Sequence, residues 1–140
     1  MTNVFTDIKK MHDKFGVTEW VQKNKDNPAV MREFLRFRIE DMMGEEWIEL
    51  NTAYAESDLE EIVDGIIDMI VFGLTILDAF EVDGEEAWNR VYNANMSKEP
   101  GVKEGRPNKL GLPDMIKPEG WEAPSHEDNV GILGGAFKDE

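Results

Sequence analysis

Glu61-Ile-Val-Asp64-Gly65-Ile-Ile-Asp68 opens the most apolar stretch of this chain, and its reading decides the fold. From Leu59 to Leu77 nearly every position is Leu, Ile, Val, Met, Phe, Gly or Thr. A helix of that composition is apolar almost all round, the pattern of a helix buried on every side. Asp64 and Asp68 interrupt the run, and Glu60 and Glu61 stand at its edge. At about 100° per residue, positions 61, 64 and 68 share one narrow face. Burying a carboxylate is costly unless it is paired or coordinates a metal, so this face calls for a cation.

The neighbouring stretch supplies more acids. Gly44-Glu45-Glu46-Trp-Ile-Glu49-Leu50 puts Glu45, Glu46 and Glu49 at three- and four-residue spacings on a second helix. The pair Asn27-Pro28 starts that helix, with Asn as cap and Pro in the first turn, and it is expected to run to about Ala55 with Gly44 permitting a bend. Ser57-x-x-Glu60 reads as a capping box opening the next helix after a very short connector. The two helices should therefore pack as an antiparallel hairpin with their acidic faces opposed. Like charges so placed repel unless a cation sits between them. An all-oxygen site selects Mg²⁺ or Mn²⁺, with Ca²⁺ also possible, whereas a di-iron bundle would want Glu-x-x-His pairs that this chain lacks. The competing reading is a pair of solvated acidic helix faces.

Further out, Phe5, Ile8, Met11 or His12, and Phe15 recur at helical spacing in a first amphipathic helix that ends near Gly16. A short helical turn around Trp20 and a loop follow. Asp83-x-x-Glu86 is a second capping box, opening a helix to about Met96. No stretch alternates as a strand would. The expected fold is all-α, a four-to-five-helix bundle on a central antiparallel hairpin, with an extended Pro/Gly-rich C-terminal tail. Residues 1–97 form the core of that expectation, 98–121 a flap over it, and 122–140 a flexible tail. All but one of the six prolines lie beyond Met96.

At 140 residues the chain suits one domain. Its 30 acids against 15 Lys and Arg give a formal charge of −15, which argues against a nucleic-acid polymer or an anionic membrane as partner. A small anion arriving with a divalent metal is not excluded. Cysteine is absent, which removes disulfides and thiolate chemistry. The N-terminus lacks the apolar core of a signal peptide and no uncharged run reaches spanning length, so a cytoplasmic location is expected. Lys98, Lys103, Arg106, Lys109 and Lys117 crowd into a net-positive, loop-like stretch. That stretch is either a solubilising tail or a flap whose cations hold phosphate oxygens. Carboxylates, a hard dication and cations together suggest phosphoanhydride chemistry, and no P-loop motif is present.

These motifs, with Asn93-Ala-Asn95-Met-Ser-Lys98, Lys117-Pro-Glu-Gly-Trp121 and Met11-His12-Asp-Lys-Phe15-Gly16, resemble the MazG-like nucleoside triphosphate pyrophosphohydrolases of the all-α NTP pyrophosphatase superfamily. The resemblance covers about residues 5–121. It implies Mg²⁺-dependent hydrolysis of a nucleoside or deoxynucleoside triphosphate to the monophosphate and pyrophosphate, by a homodimer or homotetramer. Glu46, Glu49 and Asp68 match the family's metal ligands, and Glu45 the acid that orients or deprotonates water. Asn95 and Lys98 match substrate contacts, Lys117 and Lys109 lie in the closing segment, and His12 belongs to the N-terminal motif. Two positions depart from the pattern. If Asp68 is the Asp of the second E-x-x-D, its Glu position is Gly65; Asp64 is the favoured replacement and Glu61, one turn earlier, the reserve. Asn93 stands where many relatives have Arg, and Arg90 is a substitute. A dUTPase, a phosphoribosyl-ATP pyrophosphohydrolase and a non-catalytic nucleotide-binding oligomer are the alternatives.

Overall fold

A computed structural model describes residues 3–138. The chain divides into two compact units: one holds the residues up to Gly84 and those from Val130, the other Glu85–Asn129. Helices dominate, as the sequence predicts.

In the first unit, α1 (Val4–Lys14) is capped by Asn3, whose side chain accepts from the Phe5 and Thr6 amides at 2.9 and 3.3 Å. Gly16, at φ +80°, turns the chain into α2 (Val17–Asn24). Asn27 caps α3 (Pro28–Arg36) by accepting from the Val30 amide at 3.2 Å, with Pro28 in the first turn as expected. The long helix then departs from the expectation. Phe37–Met43 is a π-helical segment, and α4 (Gly44–Ala55) resumes the α-helical ladder. Backbone angles stay right-handed through the junction, φ −56° at Arg36 and −61° at Gly44.

A three-residue turn leads to α5 (Leu59–Ala79). Here the expected capping box is corrected: Ser57 takes a left-handed conformation, φ +56°, which an N-cap does not use. Asp58 caps instead, accepting from the Glu61 amide at 3.2 Å. Helices α4 and α5 form the expected antiparallel hairpin. Gly65 is its closest approach, since a Cβ there would lie 3.3 Å from Leu50 Cδ1 and 3.4 Å from Leu50 Cβ.

Burial of α5 on every side is the second correction. Its C-terminal half enters a core of Val21, Met31, Leu35, Ala79, Phe80, Val82 and Ala136. Its N-terminal half lies beside α4 in the hairpin, and one neighbour covers one flank. Leu59, Val63 and Ile67 are consequently 74, 64 and 51 % exposed. The helix α7 (Leu133–Ala136) lies in the segment expected to be flexible; its Ala136 is buried, and the Ile132 amide donates to the Phe80 carbonyl at 2.8 Å.

The second unit carries α6 (Gly84–Met96), which starts one residue after Asp83, and a two-stranded antiparallel hairpin that the sequence did not predict. Its strands β1 (Glu99–Gly101) and β2 (Asp114–Ile116) pair Pro100 with Met115. Strands of three residues are too short to show alternation. No described helix is long and apolar enough to cross a membrane.

Candidate active site

The hairpin of α4 and α5 brings the predicted acids into one electrostatic neighbourhood. Glu46 reports it. Burial is the largest cause holding its carboxyl above the ordinary value, followed by the charges of Asp68, Glu49, Asp64 and Glu45. The five acids come from two facing helices, with Glu45, Glu46 and Glu49 in the first turns of α4 and Asp64 and Asp68 in the first half of α5. Glu61 lies one turn earlier on α5.

Solvent reaches this array. Glu46 and Asp68 are half-buried, while Glu45, Glu49, Glu61 and Asp64 are exposed. The premise that a buried helix forces a cation on these acids is therefore corrected: like-charge crowding creates the demand, and burial adds to it only at Glu46 and Asp68. Among the described residues no Lys or Arg forms a salt bridge with any of the six, although acids elsewhere, such as Asp78, Glu33 and Asp128, are paired. The donor set is all oxygen and fits a hard divalent ion. Among the described residues no three His, Cys, Asp or Glu side chains are gathered tightly enough to enclose one. The array is an open field of negative charge rather than a closed cage.

His12 is placed elsewhere in the same unit. It is 4 % exposed, and its Nδ1 lies 2.6 Å from Asp78 Oδ2, with Lys9 Nζ 2.7 Å from the other oxygen. Burial pushes the Asp78 carboxyl up, but the hydrogen bonds and charges of Lys9 and His12 outweigh it and hold the group below its ordinary value. Asp78 is ten residues beyond Asp68, about 15 Å along the helix, so His12 does not join the acid array. Sequence reasoning missed this trio; the signal was Asp78 itself, a further acid in the apolar run.

In the second unit, Trp121 assembles several predicted residues. Its indole N–H donates to the Ala94 carbonyl and Ser97 Oγ, both at 2.9 Å, which seats the ring on the end of α6. The Lys98 and Lys117 ammonium groups lie 5.0 and 5.2 Å from the ring centroid, within cation–π range. Asn95 is exposed on the same last turn of α6. Lys109 is exposed in the loop between β1 and β2 and joins no salt bridge among the described residues. Arg90 is fully engaged: Glu86 and Asp128 accept from it at 2.9, 2.6 and 3.1 Å, and the Ser125 carbonyl at 3.0 Å.

Comparison with known proteins adds the family. No curated protein and no solved structure matches the chain. The family model described as phosphoribosyl-ATP pyrophosphohydrolase matches residues 9–95, which takes in all of α2 to α5 and every acid of the array. With more than half its length matched, the chain belongs to the phosphoribosyl-ATP pyrophosphohydrolase family of the MazG-like all-α superfamily, and it is a pyrophosphohydrolase of nucleotide-like substrates.

Proposed function

We propose that this enzyme hydrolyses nucleoside or deoxynucleoside triphosphates to the monophosphate and pyrophosphate, using Mg²⁺ or in its place Mn²⁺. The observation that carries the reading is the unneutralised array around Glu46, whose carboxyl is held up by burial and four neighbouring acids. Glu46, Glu49, Asp64 and Asp68 would hold the metal, with Glu61, one turn earlier on α5, as the reserve. The metal supplies neutralisation of phosphate charge and acidifies water. Glu45, exposed beside those acids, is suited to orient water and accept its proton. Asn95, Lys98, Lys109 and Lys117 are proposed to bind the nucleotide's phosphates and sugar. His12 and Arg90 are committed to carboxylates of their own units and are left out of the substrate set. The chain would work as a homodimer or homotetramer on free nucleotides in the cytoplasm.

A second reading is favoured by the family description itself: phosphoribosyl-ATP as substrate. Purified protein with Mg²⁺ is incubated with each NTP, each dNTP and phosphoribosyl-ATP, and products are separated by chromatography. Monophosphate with pyrophosphate from the ordinary triphosphates supports the first reading; turnover of phosphoribosyl-ATP alone supports the second. Diphosphate with orthophosphate, or no turnover of any of them, overturns both. Glu49→Gln and Asp68→Asn should each reduce turnover by about 100-fold or more, while far-UV circular dichroism stays unchanged.

A further inference from the structure

Acids hold two of the five arginines of this strongly acidic chain. Glu33, Glu40 and Asp41 surround Arg36, and Glu86 and Asp128 hold Arg90. Arg32 donates its Nε to the Ala136 carbonyl at 2.9 Å. Arg38 differs. Its Nε is buried without a hydrogen-bond partner among the described residues, and it enters no salt bridge there. Burial holds its pKa below the ordinary value.

Glu33, Glu40 and Asp41 all turn to Arg36, and no salt bridge among the described residues reaches Arg38. Phe34, one turn back on the same side, lies 5.0 Å beneath the guanidinium. Phe34 is itself packed against Trp20 and Phe80, with ring centroids 4.9 and 5.8 Å away. The cation thus rests on a braced aromatic platform instead of swinging on a free stem. It sits in the π-helical segment just before the acidic turn of α4, and such segments are frequent at functional sites. Arg38 precedes Glu46 by about 12 Å of helix, within the length of a nucleotide.

We propose that Arg38 is an anion-binding residue that takes a phosphate-type oxyanion, from the nucleotide or from pyrophosphate, on its unpaired guanidinium edge. The planar fork matches two phosphate oxygens at once through its terminal N–H groups. The choice of a phosphate ligand rests on the pyrophosphohydrolase reading; the open cation does not.

The test separates the two. In ¹⁵N-labelled protein without metal, the Arg38 Nε–H resonance is assigned by its loss in Arg38→Lys and followed as inorganic pyrophosphate is added. A saturable shift of that resonance is expected. A resonance that stays put at saturating pyrophosphate overturns the proposal. So does one that moves with protein concentration instead, because the guanidinium then belongs to a carboxylate of a second copy. In steady-state kinetics with the best substrate, Arg38→Gln should raise KM about tenfold or more with a smaller fall in kcat, and Arg38→Lys should recover part of the loss. An unchanged KM also overturns it. If no nucleotide is turned over but pyrophosphate still moves Arg38, the function fails and the anion site stands.

Discussion

Glu46 and Asp78 show how environment sets two carboxyls of one unit in opposite directions. Asp78 is held below its ordinary value, chiefly because its two hydrogen bonds outweigh burial, so it contributes stability above the unfolded carboxylate range near pH 4 and loses it as the pH falls through the lower folded value. Asp78→Asn should cost about 1–3 kcal/mol in urea unfolding at pH 7, since His12 stays buried with a weaker partner, and should flatten the acid limb of stability against pH. Glu46 is held above its ordinary value. Between the two values the folded state binds more protons than the unfolded, so its contribution improves as the pH falls through the folded value. Glu46→Gln should therefore raise the metal-free thermal midpoint at pH 7 by relieving like charge, by about 0.5 kcal/mol, with the gain shrinking toward pH 4. Mg²⁺ should stabilise the parent and not the variant. A Glu46→Gln protein no more stable than the parent in chelator would mean that the neighbouring charges exert no strain there.

Among the elements, the π-helical segment phases the acids. A residue added or removed within a helix turns everything beyond it by about 100° relative to what precedes. Deleting Ile39, half-exposed in that segment, should let the backbone close into a regular α-helix and swing Glu45, Glu46 and Glu49 away from α5. Helicity by circular dichroism should hold while turnover falls by about 100-fold or more. Unchanged turnover would show that α4 keeps its phase by packing alone. Helix starts were legible in the sequence because caps are local chemistry: Asn27-Pro28 marked α3 to the residue. The acid constellation was legible from spacing, which fixes a helix face without knowledge of the partner. The π-helical segment was not, because hydrogen-bond register leaves no trace in apolar periodicity over seven residues. Nor was the capping role of Asp58, which depends on Ser57 adopting a positive φ in a turn whose geometry the hairpin imposes. His12 drew notice only through the motif it shares with the family, because its pairing with Asp78, 66 positions away, leaves no local trace.

For the whole molecule, the exposed first half of α5 is the feature with consequences. Leu59, Val63, Ile66, Ile67 and Ile70, with Trp47, Ile48 and Tyr54 of α4, are all exposed, and exposed apolar side chains gathered on one hairpin suit an interaction face. A second copy of the chain is the occupant that the proposed dimer or tetramer requires. Val63→Lys with Ile67→Lys tests it, since exposed positions in a lone chain tolerate charge within about 0.5 kcal/mol. Light scattering of the parent should give a multiple of 16.0 kDa, and of the double variant a single chain. A parent of single-chain mass overturns the assembly.

Gly65 and Leu50 also couple two positions of the hairpin. The pattern that the acids resemble would place a glutamate at position 65, and a Cβ there meets Leu50 at 3.3 Å, so any side chain requires Leu50 to give by a few tenths of an ångström. A smaller residue at 50 beside glycine would instead leave a gap between the helices that is itself destabilising. Asp64, exposed next to that contact, puts an acid on this helix without displacing Leu50.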